Sequence, residues 1–107
     1  MPDHEVNQAF ERVVTRLRSM GATLIKDSVN TECFGNRTLV LETERGLSFR
    51  IVTDNGQPMH DFSLDGARWE DVHDVNRTLA KRGRAADAEL ALRIDALASE
   101  AWRRFYR

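Results

Sequence analysis

The sequence has one cysteine, two prolines and no long apolar run, and each shortage excludes a class of protein. A single thiol, Cys33, cannot form an internal disulfide, and the lack of a cysteine pair argues against a zinc site. The acidic start of the chain lacks the basic flank and apolar stretch of a signal peptide. No segment approaches the ~18 apolar residues that cross a bilayer. We therefore expect a cytoplasmic protein with no membrane partner.

Motifs of the common enzyme and cofactor classes are also absent. The chain contains no glycine-rich phosphate loop, no nucleophile elbow and no basic segment interleaved with stacking aromatics. Sixteen Lys and Arg nearly balance seventeen Asp and Glu, so no overall field attracts nucleic acid or a membrane surface. We expect no catalytic residue, no cofactor and no metal, and we do not expect nucleic acid as a partner.

The residues that are present predict one α+β domain over 1–107. Apolar residues at helical spacing predict an N-terminal helix from Glu5 to Met20 with Asp3 as its cap. A strand of uncertain limits follows from Ala22 to Cys33, and a turn is expected at Phe34-Gly35-Asn36. The predicted order is α-β-β-β-β-α-α, an antiparallel four-stranded meander covered by an N-terminal helix and two C-terminal helices.

The register of the three later strands follows from their turns. A three-residue loop ending at Gly46 places Leu41 opposite Phe49, so the apolar rows share one face. The pair Asn55-Gly56 then predicts a two-residue turn. It sets His60 opposite Ile51 on the apolar face, and on the reverse face it sets Arg50 opposite Asp61 for a cross-strand ion pair. Pro58 indicates that the strand 57–64 lies at an edge of the sheet.

Two helices are predicted after the sheet. The first begins at Asp65 as N-cap, and the last runs from Ala85 to Tyr106. An apolar seam on the last helix (Leu90, Ile94, Leu97, Ala101 and Phe105) would pack on the domain or on a second copy of the chain. The expected core comprises Phe10, Val13, Leu17, Leu39, Leu41, Leu47, Phe49, Ile51, Phe62, Leu64, Trp69, Val72, Leu79, Leu90, Ile94 and Leu97.

Charge is unevenly distributed along the chain. Between positions 54 and 74 six acids stand against a single Arg68, whereas basic residues gather at 77–84 and at the C-terminus. An acidic surface of this kind steers association with a basic protein, although ordinary solubilising charge gives the same pattern. Trp102 flanks the apolar seam, where partial exposure and a partner contact are expected. The candidate partner-binding residues are Asp54, Asp61, Asp65, Glu70, Asp71, Asp74 and Trp102.

Catalytic and metal-binding alternatives centre on His60. A buried histidine beside a carboxylate is a candidate general base, although a core-margin histidine bonded to the backbone is the more common arrangement. Cys33 has no neighbour that would activate its thiol, so an inert thiol is favoured. His60 and Asp61 point to opposite faces of one strand and cannot bind the same metal ion, while Asp71 and Asp74 fit a solvated helix face.

A resemblance adds to this interpretation. Phe34-Gly35-Asn36, the strands Leu39–Glu42 and Phe49–Val52, the turn Gly56-Gln57 and the helix start Trp69–Val72 together resemble small bacterial proteins of the polymorphic-toxin immunity type. Asn55 precedes the Gly-Gln pair where an Arg is common in that type, and the long last helix is an addition. The resemblance implies a binder with a variable contact surface, so it assigns no site residue.

The sequence therefore predicts a small non-enzymatic protein-binding module, an immunity or antitoxin-like inhibitor that meets a basic protein with its acidic surface. One alternative is a structural or regulatory domain that self-associates through the terminal helix. The other is a small enzyme built around His60.

Overall fold

The structure is a computed structural model that describes residues 4–30, 36–54 and 56–106. Its helices are α1 (His4–Ser19), α2 (Val72–Lys81) and α3 (Ala85–Trp102), and a 3₁₀ turn at Arg103–Phe105 follows α3. The strands β1 (Thr23–Asn30), β2 (Asn36–Glu42), β3 (Ser48–Asp54) and β4 (Gln57–Ser63) form one antiparallel sheet in the order β1-β2-β3-β4. The predicted α+β fold and the order of its elements are confirmed.

Some predictions concern positions outside the described residues. They are the helix cap Asp3, the thiol Cys33, the first turn residues Phe34 and Gly35, and the turn residue Asn55. Within the described ranges, no helix is both long enough and apolar enough to cross a membrane.

The predicted register of the central hairpin is confirmed. Leu41 pairs with Phe49 and Leu39 pairs with Ile51. Gly46 has a φ of +90°, the left-handed conformation that the three-residue loop requires, and its N–H donates to the carbonyl of Thr43 at 3.0 Å. The loop therefore aligns the apolar residues of β2 and β3 on one face.

The second hairpin also has the predicted register. Phe49 pairs with Phe62, Ile51 with His60 and Thr53 with Pro58, and β4 lies at the edge of the sheet. Gly56 has a φ of +81°, as the turn requires.

A bulge in β1 explains why apolar and polar residues do not alternate cleanly in this part of the sequence. The pairing of β1 with β2 shifts between Leu24 and Lys26, so one extra residue, Ile25, lies between two paired positions. Such a bulge reverses the in-and-out order of all later side chains on the strand. Period-2 reasoning therefore fails across this point.

All three helices cover one face of the sheet, which we call the inner face. The apolar residues of β2, β3 and β4 on this face meet the buried sides of α1, α2 and α3 in a single core. Phe49, Ile51 and Phe62 are at most 1% exposed. Trp102 of α3 reaches across to Phe10 of α1, with ring centroids 5.3 Å apart in an edge-on arrangement. Among the described residues, no helix lies on the opposite side of the sheet, which we call the outer face.

The buried stripe of α3 differs from the predicted seam. Three of its six buried residues are alanines, and Leu90 and Leu97 are only partly buried. The other three buried residues are Asp87, Ile94 and Trp102. Alanine at the contact lets the helix axis approach its neighbours, so the larger leucines are displaced to the margins of the stripe. Leu64 is likewise only partly buried. The predicted seam is therefore rotated. The helix begins at Ala85 as expected, but it ends at Trp102 and not at the predicted Tyr106, because the chain continues as a 3₁₀ turn.

A buried carboxylate joins the β2–β3 loop to the start of α3. The side chain of Asp87 is 2% exposed and accepts hydrogen bonds from Nε of Arg45 at 3.0 Å and Nε of Arg84 at 2.9 Å. The guanidinium of Arg84 also donates to the carbonyl of Arg45 at 3.1 Å. These contacts fix the N-terminal end of α3 against the sheet.

Candidate binding surface

The outer face contains a groove of about 620 Å³. We call it the sheet groove. Its floor is formed by outward-pointing residues of β1, β2 and β3, and the loop between β4 and α2 closes one end. The lining residues are Ile25, Lys26, Thr38, Val40, Glu42, Gly46, Ser48, Arg50, Leu64, Asp65, Gly66 and Trp69.

Arg50 is the central side chain of the sheet groove. Its register opposite Asp61 allows a two-pronged ion pair, with Nε to Oδ1 at 2.9 Å and the second nitrogen to Oδ2 at 2.5 Å. The guanidinium also lies over the ring of Trp69, 4.5 Å from its centroid. Arg50 is thereby held in one orientation by an acid on one side and an aromatic ring on the other.

The position of Trp69 corrects its predicted place in the core. Glu70 forms an isolated antiparallel bridge with Phe62, with N–O distances of 2.8 and 2.7 Å, so the chain runs back along β4 before α2 begins. This return places Trp69 half-buried on the outer face instead of in the apolar interior. Helical periodicity could not predict it, because these residues are not helical.

Asp65 closes the end of the groove and does not cap a helix. Its Oδ1 accepts hydrogen bonds from the backbone N–H of Ala67 at 2.8 Å and Arg68 at 2.9 Å, and from the hydroxyl of Ser63 at 3.0 Å. These bonds to the charged form, those from Arg68 and Ala67 foremost, lower the pKa of Asp65 to about 2. The N-cap of α2 is Asp71, which accepts from the N–H of Asp74 at 3.0 Å.

Three of the six predicted partner-binding acids form ion pairs within the chain. Asp61 pairs with Arg50, Glu70 pairs with Arg68 at 3.2 Å, and Asp74 pairs with Arg77 at 3.6 Å. The local excess of negative charge in the sequence is thus partly balanced in three dimensions.

The predicted acids do not share one surface. Asp61 and Asp65 lie on or beside the outer face. The exposed Asp54 is the last residue of β3, at the end of the sheet away from the loop between β4 and α2. Asp71 and Asp74 lie at the start of α2. The structure therefore places these acids in three separate regions, of which the outer face holds the sheet groove.

Exposed side chains on the groove give it a mixed apolar and acidic character. Ile25 is 55% exposed and offers an apolar contact at the groove. Glu42, Asp65 and Lys26 are also exposed, while the charge of Arg50 is matched by Asp61. The exposed rim is thus apolar at one point and carries two acids against one base. Sequence reasoning missed Ile25 and Glu42, because neither stands out until the bulge and the groove are known.

A second cluster surrounds His60 on the inner face. Its Nε2 lies 2.7 Å from Oδ1 of Asp95, and its Nδ1 lies 2.9 Å from the indole nitrogen of Trp102. The imidazole side chain is 12% exposed. Trp102 itself is 3% exposed, so the expected partial exposure of this residue is wrong. The residue turns inward because the rotated stripe of α3 places it on the core side.

The bonds of His60 argue against its use as a general base. An indole N–H can only donate, so the Nδ1 lone pair of His60 is occupied by Trp102. Nε2 must then carry the proton that it donates to Asp95. The one basic lone pair of the neutral ring, on Nδ1, is therefore unavailable to a substrate while its bond with the indole is intact. His60 and Asp61 point to opposite faces, as expected, because Asp61 bonds to Arg50 on the outer face.

Metal chemistry finds no support in the described part of the chain, where no group of three or more His, Cys, Asp or Glu side chains is arranged to hold a metal ion. Comparisons with known proteins add no relative: no family model, no curated protein and no solved structure matches this chain.

Proposed function

We propose that this chain is a small non-enzymatic protein-binding module that holds its partner against the sheet groove. The observation that carries the proposal is the open outer face, where a groove of about 620 Å³ lies beside the exposed Ile25. A helix-free sheet face with an aromatic ring and an oriented guanidinium offers the residue types that anchor protein interfaces.

The partner would present an apolar side chain together with basic groups. Ile25 supplies an apolar contact, and the exposed carboxylates Glu42 and Asp65 attract positive charge. Binding of this kind suits an immunity or antitoxin-like inhibitor, as the resemblance implies, and we propose that it acts in the cytoplasm. The proposed acidic surface thus includes Asp65 and Glu42 and does not include the whole acidic stretch between positions 54 and 74.

The test compares capture of a partner by matched surface variants. Ile25→Glu places a charge on the groove, and Leu92→Glu places the same charge on α3, where Leu92 is 43% exposed. We expect the protein retained by the wild-type chain in extract of its native cell to be lost with Ile25→Glu and kept with Leu92→Glu. Retention by both variants, or no retained protein with the wild-type chain, would contradict the proposal.

Charge reversal supplies a second comparison. Glu42→Lys reverses a groove carboxylate, whereas Glu89→Lys reverses an exposed carboxylate of α3. We expect the groove variant alone to slow association, and more so at low salt, because exposed charges are screened at high salt. Sedimentation velocity separates a foreign partner from a second copy. A dimer abolished by Leu92→Glu would replace this proposal with self-association through α3.

A further inference from the structure

The C-terminal end of α3 is fastened to β4 through one imidazole ring. Trp102 donates to Nδ1 of His60, and Nε2 of His60 donates to Asp95, so each ring nitrogen has one partner on α3. We call these three side chains the His60 latch. Asp95 and Trp102 belong to the same helix, separated by about two turns, so the ring holds both points of α3 at once.

The latch requires the neutral ring in one tautomer. Trp102 has a donor and no acceptor, so Nδ1 has to be unprotonated for the 2.9 Å contact to be a hydrogen bond. A second proton on the ring would put an N–H at Nδ1 directly against the indole N–H. Two donors cannot share that position, so the Trp102 contact is lost while the contact with Asp95 persists.

We propose that the His60 latch is a proton-sensitive fastening, in which protonation of the imidazole releases the indole of Trp102 and loosens the last turn of α3. The proposal is independent of the function assigned to the sheet groove, since the two sites lie on opposite faces of the sheet. It predicts a local rearrangement at the C-terminal end of the domain and leaves the sheet in place.

The surroundings of the ring favour this outcome. Phe49 of β3 and Phe62 of β4 approach the ring and carry no charge, with centroids 5.5 and 6.2 Å away. Asp95 is the charged group in contact with the ring among the described residues, and its contact with Nε2 is the one that a second ring proton leaves in place. Tyr106 lines the same cavity, and burial raises the pKa of its phenol, so it stays neutral throughout the acid range.

The indole also has space beside it. A cavity of about 310 Å³ adjoins the latch and is lined by Pro58, Met59, His60, Ser99, Trp102 and Tyr106. The α-helix ends at Trp102 and gives way to the 3₁₀ turn, so few backbone bonds oppose a movement of this residue. A released indole can therefore turn towards the cavity without unfolding α3.

The first test measures the protons directly. Nitrogen-15 NMR of the full chain at neutral pH should show the Nε2–H tautomer for His60, and the indole N–H of Trp102 should shift when His60 titrates. The exposed rings of His4 and His73 provide comparison signals in the same spectra. An Nδ1–H tautomer at neutral pH, an indole signal that does not change as His60 titrates, or a ring that stays neutral until the chain unfolds would each overturn the proposal.

The second test uses fluorescence and a matched variant. Trp69→Phe leaves Trp102 as the single tryptophan, since the chain has two. In this background we expect the emission of Trp102 to shift on acidification at the titration of His60. His60→Gln can accept from the indole and donate to Asp95 yet does not titrate, so the shift should vanish. A shift that persists in folded His60→Gln protein would also overturn the proposal, and the NMR test stands if that variant does not fold.

Discussion

The two faces of the sheet are built from alternate residues of the same strands, yet they are held by different chemistry. On the inner face Phe49, Ile51 and Phe62 are at most 1% exposed and meet three helices. On the outer face Ile25 and Met59 are 55% and 50% exposed, and the central contact is the ion pair of Arg50. The difference indicates that stability is concentrated on the inner face, which leaves the outer face available for the binding that we propose.

The largest expected effect is on the inner face. Replacing Phe62 by Ala removes a fully buried ring, and we expect a loss of about 3–5 kcal/mol in the free energy of unfolding from lost burial and the remaining cavity. Met59→Ala, three residues earlier on the same strand, should change it by less than about 0.5 kcal/mol because the side chain is half exposed. Urea unfolding followed by circular dichroism measures both. Equal losses would contradict the separation of the two faces.

An intermediate effect is expected at the centre of the outer face. Arg50→Ala removes both the ion pair with Asp61 and the contact with Trp69, which together should cost about 1–2 kcal/mol at this partly exposed site. Arg50→Lys keeps the charge but not the planar fork, so its loss should be smaller and more sensitive to salt. The same urea measurements at low and high salt test this. An Arg50→Ala loss as large as that of Phe62→Ala would place the outer face within the core.

Sequence patterns predicted the inner face well because its determinants are local. Period-2 alternation and the two turns fix which residues of β2, β3 and β4 oppose one another, and Gly46 and Gly56 take the required backbone conformation. The placement of His60 opposite Ile51, and of Arg50 opposite Asp61, follows from the same rule. A single slip in register would have reversed both faces.

The groove and the latch depended on contacts that no local pattern contains. Trp69 reaches the outer face because Glu70 pairs with Phe62 before α2 begins, and Ile25 does so because of the bulge in β1. Trp102 and Asp95 meet His60 because alanines let α3 approach its neighbours closely. Tertiary contacts determine on which face each of these side chains lies, so the spacing of apolar residues along the sequence could not predict their positions.

The smallest expected effect extends the comparison to acid pH at the end of the sheet groove. Backbone hydrogen bonds lower the pKa of Asp65 from 3.8 to about 2, so its carboxylate stabilises the folded chain fully above the ordinary value. That contribution is lost as the pH falls towards the lowered pKa. Asp65→Asn keeps an acceptor oxygen, but its amide takes up no proton in this range. The free energy of unfolding of this variant should therefore fall less than that of the wild type between about pH 4 and pH 2.

Asp27 provides the reference for this measurement. Arg37 donates to the carboxylate of Asp27 from Nε at 3.0 Å and from a second nitrogen at 2.9 Å, and these hydrogen bonds lower the pKa of Asp27 as well. The wild type and Asp65→Asn share this acid-sensitive contact. The difference between the wild type and Asp65→Asn in urea unfolding therefore isolates Asp65, and carbon-13 NMR of its carboxyl carbon reports the titration itself. A titration near 3.8, or identical pH profiles, would mean that the loop closing the groove is not held by this carboxylate. The end of the groove would then be free to reshape around a partner, and the contrast with the rigid inner face would be sharper still.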